Sequence, residues 1–144
     1  MNRKIIKNSK MKLLLFIFGM VVFIAIPYQA TAQVVMYCAD IAGNGFHPEN
    51  GLYKHSRIKG TQFKIQVEIS SKSIELVESD GERKQFTCKT PYKSALPEAI
   101  SCHSDFHIFN INLKNGRFVY TRAFGYVGSD GDSFWVSYGK CDAF

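Results

Sequence analysis

The chain has 144 residues, with 18 Lys or Arg against 12 Asp or Glu and a formal charge of +6. Five of the basic residues (Arg3, Lys4, Lys7, Lys10, Lys12) are the only Lys, Arg, Asp or Glu among the first thirty-two. Without them 13 basic residues face 12 acidic ones, a net charge near +1, so the basic excess that would suggest nucleic acid belongs to the first thirty-two residues and no nucleic-acid partner is expected.

The basic start is followed by an apolar run from Leu13 to Ile26, then Pro27 and the small-residue exit Ala30-Thr31-Ala32. This is the three-part pattern of a secretory signal, and fourteen apolar residues fall short of the ~18 to 20 that span a bilayer. The expectation is cleavage after Ala32, so that 1–32 is a signal peptide and 33–144 a single exported domain, periplasmic or secreted, with no stable membrane insertion after processing. All four cysteines (Cys38, Cys88, Cys102, Cys141) lie beyond that point, and an even count in a small exported domain implies two disulfides. Of the three pairings, Cys88 with Cys102 and Cys38 with Cys141 is favoured: the first closes a local excursion and the second ties the two ends. No two cysteines are close enough for a C-x-x-C zinc motif.

Beyond residue 32, sixteen aromatic and fifteen Ile or Val residues outnumber four leucines (Leu52, Leu76, Leu96, Leu113), a balance that favours strands over helices. In chain order the strand candidates are Val34–Cys38, Gly51–Arg57, 61–69, Ser73–Glu78, Lys84–Lys89, Ala99–Cys102, Phe106–Leu113, Arg117–Val127 and Ser133–Lys140. The clearest is "TQFKIQVEI", where Phe63, Ile65, Val67 and Ile69 alternate with Lys64, Gln66 and Glu68. "SSKS", "SDGE", "KNGR" and "GSDGDS" read as turns, and "KTPYKSALPEAIS", with two prolines, as a loop with one helical turn. Asn115-Gly116 predicts a type I′ hairpin, with positive φ at both central residues, and Asp130-Gly131 the turn before the last strand. The fold class expected is all-β, a small antiparallel barrel or sandwich of about eight short strands.

Few side chains point to chemistry. A calcium loop starting at Asp130 would need a glutamate at its twelfth position, which is Cys141, so Asp130 and Asp132 read as a solvated turn. In "CHSDFH", His103, Asp105 and His107 stand at alternate positions and form the candidate metal set, although the two histidines of an extended strand would lie ~13 Å apart. The alternative for His107 is a half-buried ring sharing a face with Phe109, Ile111 and Leu113. His47 and His55 read as loop and surface residues. There is no G-x-S-x-G elbow and no glycine-rich phosphate loop, so neither catalytic residues nor a cofactor are assigned. In "RFVYTRAFGYV", Phe118, Tyr120, Arg122, Phe124 and Tyr126 fall on one side and Val119, Thr121, Ala123 and Val127 on the other. If the small face is core, the aromatic face is an exposed stripe suited to a protein or sugar partner. If the aromatic face is core, Arg122 pairs with a carboxylate at the barrel mouth.

The spacing Cys38, Gly45, Phe46, Gly51, Tyr53, Phe63, Ile65, with "FGYV", "DSFWVSYGKC" and the ending "DAF", resembles small secreted bacterial proteins of uncharacterised families. That resemblance implies a bacterial envelope location and assigns no site. The chain is also similar to the periplasmic inhibitors of animal-type lysozyme, small exported β-barrels with an early Y-x-C. Here Tyr37 and Cys38 are adjacent, and the serine- and lysine-bearing inhibitory loop is absent. The function expected is a non-enzymatic exported domain binding a protein or an envelope glycan, with a metal-binding, hydrolytic protein centred on His103, Asp105 and His107 as the alternative.

Overall fold

The computed structural model describes residues 33–128 and 131–143; the signal-like segment 1–32, together with Ser129, Asp130 and Phe144, lies outside them. Alternation of large apolar with polar residues sets nine strands, because side chains point to opposite faces at each step. They are β1 (Gln33–Glu49), β2 (Leu52–Ile58), β3 (Gln62–Glu68), β4 (Ser73–Glu78), β5 (Arg83–Lys89), β6 (Ala99–His103), β7 (His107–Asn112), β8 (Arg117–Arg122) and β9 (Phe134–Ala143). One four-residue helical turn, α1 (Gly125–Gly128), precedes β9. Strand order is β1-β3-β4-β5-β6-β7-β8-β9, all neighbours antiparallel, and β9 returns to β1. Eight strands thus close a barrel and remove all edges but those of the ninth strand, β2.

β1 is not the short strand expected at 34–38. It runs for 17 residues, first between β3 and β9, then past the barrel rim between β2 and β9. The register on β9 skips Ile41, a bulge that bends β1 and inverts its faces: Met36 and Cys38 point inward before it, Gly43 and Gly45 after it. Asp40 anchors the bend, its Oδ2 accepting from Thr61 N (3.2 Å) and Thr61 Oγ1 (2.8 Å). Asn50-Gly51 then makes the two-residue turn into β2, with φ of 53° and 77° and Glu49 opposite Leu52. This is the type I′ geometry expected instead at Asn115-Gly116.

At the latter, only Gly116 has positive φ (70°), and the hairpin closes over a longer loop. Gly116 N donates to Asn112 O (2.9 Å), while Asn112 Oδ1 accepts from Lys114 N and Asn115 N. The tighter turn loses because Gly116 is packed against the last strand: Cys141 N donates to Gly116 O (2.8 Å), and a side chain at 116 would collide with Cys141 O. β8 also stops at Arg122 rather than Val127, giving way to α1. Residues 90–98 form a loop of successive turns, in which Leu96 N donates to Tyr92 O (2.7 Å) and closes one helical turn. Ile69, expected in the buried row of its strand, lies past the end of β3 and is exposed.

The core fills the barrel with Phe63, Ile65, Ile74, Leu76, Phe86, Phe109, Ile111, Phe118 and Tyr120. The aromatic rings meet mostly edge to face, as at Phe63–Phe118 (5.3 Å, 70°) and Phe109–Tyr120 (5.7 Å, 74°). Both disulfides form as expected, Cys38–Cys141 and Cys88–Cys102, each joining directly opposed residues of adjacent strands. Two disulfides are consistent with an oxidising environment. Among the described residues no helix is long and apolar enough to cross a membrane.

Candidate functional site

Face parity decides which side chains can meet a partner. In β8, Phe118 and Tyr120 are 3% and 4% exposed, so the aromatic side of "RFVYTR" fills the barrel. Arg122, next on that side, reaches the rim and pairs with Asp132 (3.5 Å), the carboxylate at the mouth. The continuous stripe Phe118, Tyr120, Arg122, Phe124, Tyr126 is therefore divided. Its first two members are core, Arg122 is a half-buried ion pair, and only Phe124 and Tyr126 are exposed. On the small side, Val119, Ala123 and Val127 face solvent.

The exposed apolar face lies instead on β9. Cys141 must point inward to reach Cys38, and the alternation then sends Gly139, Ser137 and Trp135 inward and Tyr138, Val136 and Phe134 outward. Val136 is 46% and Tyr138 51% exposed. Val119 stands opposite Tyr138 on β8, and Phe46 opposite Phe134 on β1. Beyond the rim the face ends in a cluster of rings: Phe46 stacks on Phe134 (5.0 Å, 21°), Tyr53 packs against Phe134 (5.5 Å) and Tyr126 (5.2 Å), and His55 sits edge-on to Phe46. Tyr53 OH donates to Asp132 O (3.2 Å), so the same turn that pairs with Arg122 holds this cluster. Both His47 and His55 lie on strands rather than loops, but only His55 joins the cluster, its Nε2 3.2 Å from Asn44 Oδ1; His47 points to the other face of the sheet, its Nδ1 3.3 Å from Ser56 Oγ. The sequence held the signal for this face in the parity of Cys141, once that cysteine was placed in a disulfide.

The candidate metal set is not assembled. His103 follows inward Cys102 and so points outward, exposed, with Nε2 3.2 Å from Ser101 Oγ. His107 shares the inward face of Phe109 and Ile111 and packs against Tyr120 (5.6 Å) and Trp135 (6.1 Å). Asp105 lies exposed in the loop between them. Among the described residues the one group of three close ligand atoms is Glu78, Asp80 and Glu82, and Lys84 Nζ already bridges Glu78 and Glu82. Of the aspartates in "GSDGDSFW", Asp130 lies outside the described residues, while Asp132 serves Arg122 and Tyr53.

Burial, with Lys84 and Arg122 nearby, lowers the His107 pKa from 6.5 to about 4, and Glu78 only partly opposes this. The ring is therefore neutral at pH 7. Because the unfolded chain takes up this proton near pH 6.5 and the folded chain only near 4, protonation between those values favours unfolding. Stability should fall as pH drops through that window, and His107→Gln should flatten the fall. Denaturant melts of both proteins at pH 7 and 4.5 measure it; parallel curves would refute the assignment. Burial, then Glu78, Glu82 and Asp40, raise the Tyr120 pKa, so this phenol stays protonated.

No protein-family model matches this chain, and no curated protein matches it.

Proposed function

We propose that this protein is a non-enzymatic exported domain, acting in the periplasm or outside the cell, that binds another protein through the outer face of β9 and its neighbours. The observation that carries this reading is the contiguous exposed face of Val119, Val136, Tyr138, Phe46 and Tyr126. Soluble domains rarely leave apolar side chains adjacent to one another in water, and where they do the patch tends to be an interaction surface. Tyr and Phe supply contact area at low ordering cost, and the barrel beneath holds them in place without help from a partner. The two disulfides and the signal-like start support the compartment.

The test is affinity capture from the producing cell's envelope fraction, with native protein beside a Val136→Glu/Tyr138→Glu variant. Both positions face solvent, so the variant should melt within a few degrees of native. A protein retained by the native domain and lost about tenfold or more by the folded variant is the expected result. Equal recovery by both would overturn the reading. Retention of envelope glycan alone, with the same loss, would keep the face and change its ligand to a sugar polymer.

A further inference from the structure

The barrel end opposite the aromatic cluster is incompletely filled. Val67, Cys88, Ile100 and Leu113 wall a cavity of about 180 Å³ there. Protein interiors are ordinarily packed as densely as organic crystals, and an eight-stranded barrel either fills itself with side chains or holds one small ligand. This one is filled at its middle by aromatic rings but not at this end, where Ile100 and Leu113 remain partly exposed. Ile69, 59% exposed beyond the end of β3, also lines the cavity. Its walls are apolar, and its charged neighbours are Lys72, Lys89 and Glu68. None of the three has a salt-bridge partner among the described residues, and Glu68 accepts from Ser71 Oγ (2.9 Å).

We propose that this end of the barrel binds a short straight-chain carboxylate, its hydrocarbon against Val67, Ile100 and Leu113 and its head group between Lys72 and Lys89. The size follows from the volume: a cavity of about 150 Å³ admits a benzene-sized guest, so 180 Å³ takes roughly six to eight carbons and not a whole lipid tail. The charge follows from the rim. Lys72 and Lys89 outnumber Glu68, so the rim is net positive and favours an anion placed on the lysine side, and the apolar walls exclude a hydrated one such as phosphate or sulfate from the interior.

The experiment is a methyl-detected NMR titration of the oxidised protein with octanoate, with octan-1-ol as the uncharged comparison. Octanoate should shift the methyl signals of Val67, Ile100 and Leu113 saturably. Ile100→Trp, which plugs the cavity, should remove the response. Should that variant fail to fold, Lys72→Gln/Lys89→Gln, which leaves the walls untouched, should weaken octanoate about tenfold and leave octanol unchanged. No saturable shift at these methyls would overturn the site. Octanoate binding that ignores the double lysine variant would overturn the carboxylate assignment.

Discussion

Replacing both Cys38 and Cys141 with alanine should remove about 4.7 kcal/mol of stability, and replacing both Cys88 and Cys102 about 3 kcal/mol. The two bridges close sequence separations of 103 and 14 residues, and the unfolded chain gains more freedom when the longer loop is released. Domains of this size are stable by only ~5–15 kcal/mol, so the first loss removes a large share of the total. Position adds to it, since Cys38 and Cys141 face each other across the β1–β9 seam where the barrel closes. Denaturant midpoints and slopes for the two double variants measure the ordering. Equal losses, or a larger loss at Cys88 and Cys102, would show that the seam is held by its ladder and not by the bridge.

A single methyl group placed in the same seam should be nearly as damaging. A Cβ at Gly139 would collide with Ala39 O and stand 2.6 Å from Phe118 Cζ and 2.8 Å from Phe118 Cε1. One obstacle is backbone of the paired strand and the other a ring locked among Phe63 and Phe109, so no rotamer change makes room. Gly139→Ala should therefore cost about 3 kcal/mol, the upper part of the range for overpacking. Tyr138→Ala, one residue away on the outer face, should stay within about 0.5 kcal/mol of native. The contrast tests the parity on which the proposed binding face depends. If Tyr138→Ala were the more destabilising of the pair, β9 would have the opposite face inward and that face would be core.

Much of this architecture was legible in residue patterns. The alternation in "TQFKIQVEI" places Phe63, Ile65 and Val67 in the core, where they are found, because period two is a property of extended backbone and needs no tertiary information. The cysteine pairing was legible because only loop sizes and end-tying had to be weighed. The binding face was harder. Both sides of "RFVYTR" carry residues able to be core, and local alternation shows two faces without saying which is inside. What put Phe118 and Tyr120 inward is the facing strand: Ser137 and Gly139 stand opposite Tyr120 and Phe118 and leave the volume that the rings occupy.

The two Asn-Gly pairs divide along the same line. Both carry the local preference for a tight turn, yet only Asn50-Gly51, free of neighbours within 4 Å at Gly51, adopts it. Gly116 is drawn to the backbone of Cys141 by a hydrogen bond from the neighbouring strand β9, and the turn lengthens to accommodate it. His107 follows suit: alternate spacing with His103 suggested a shared side, but the loop Ser104–Phe106 resets the phase, and the two rings end on opposite sides of the wall. By itself the sequence determined strand content, the disulfide pairs and the core positions of the most regular strand, since these depend on period, count and side-chain type. Only the tertiary structure decided barrel closure, the inward face of β8 and the bulge at Ile41. Each of these depends on what stands across the sheet, where complementary volume and backbone pairing outweigh local preference.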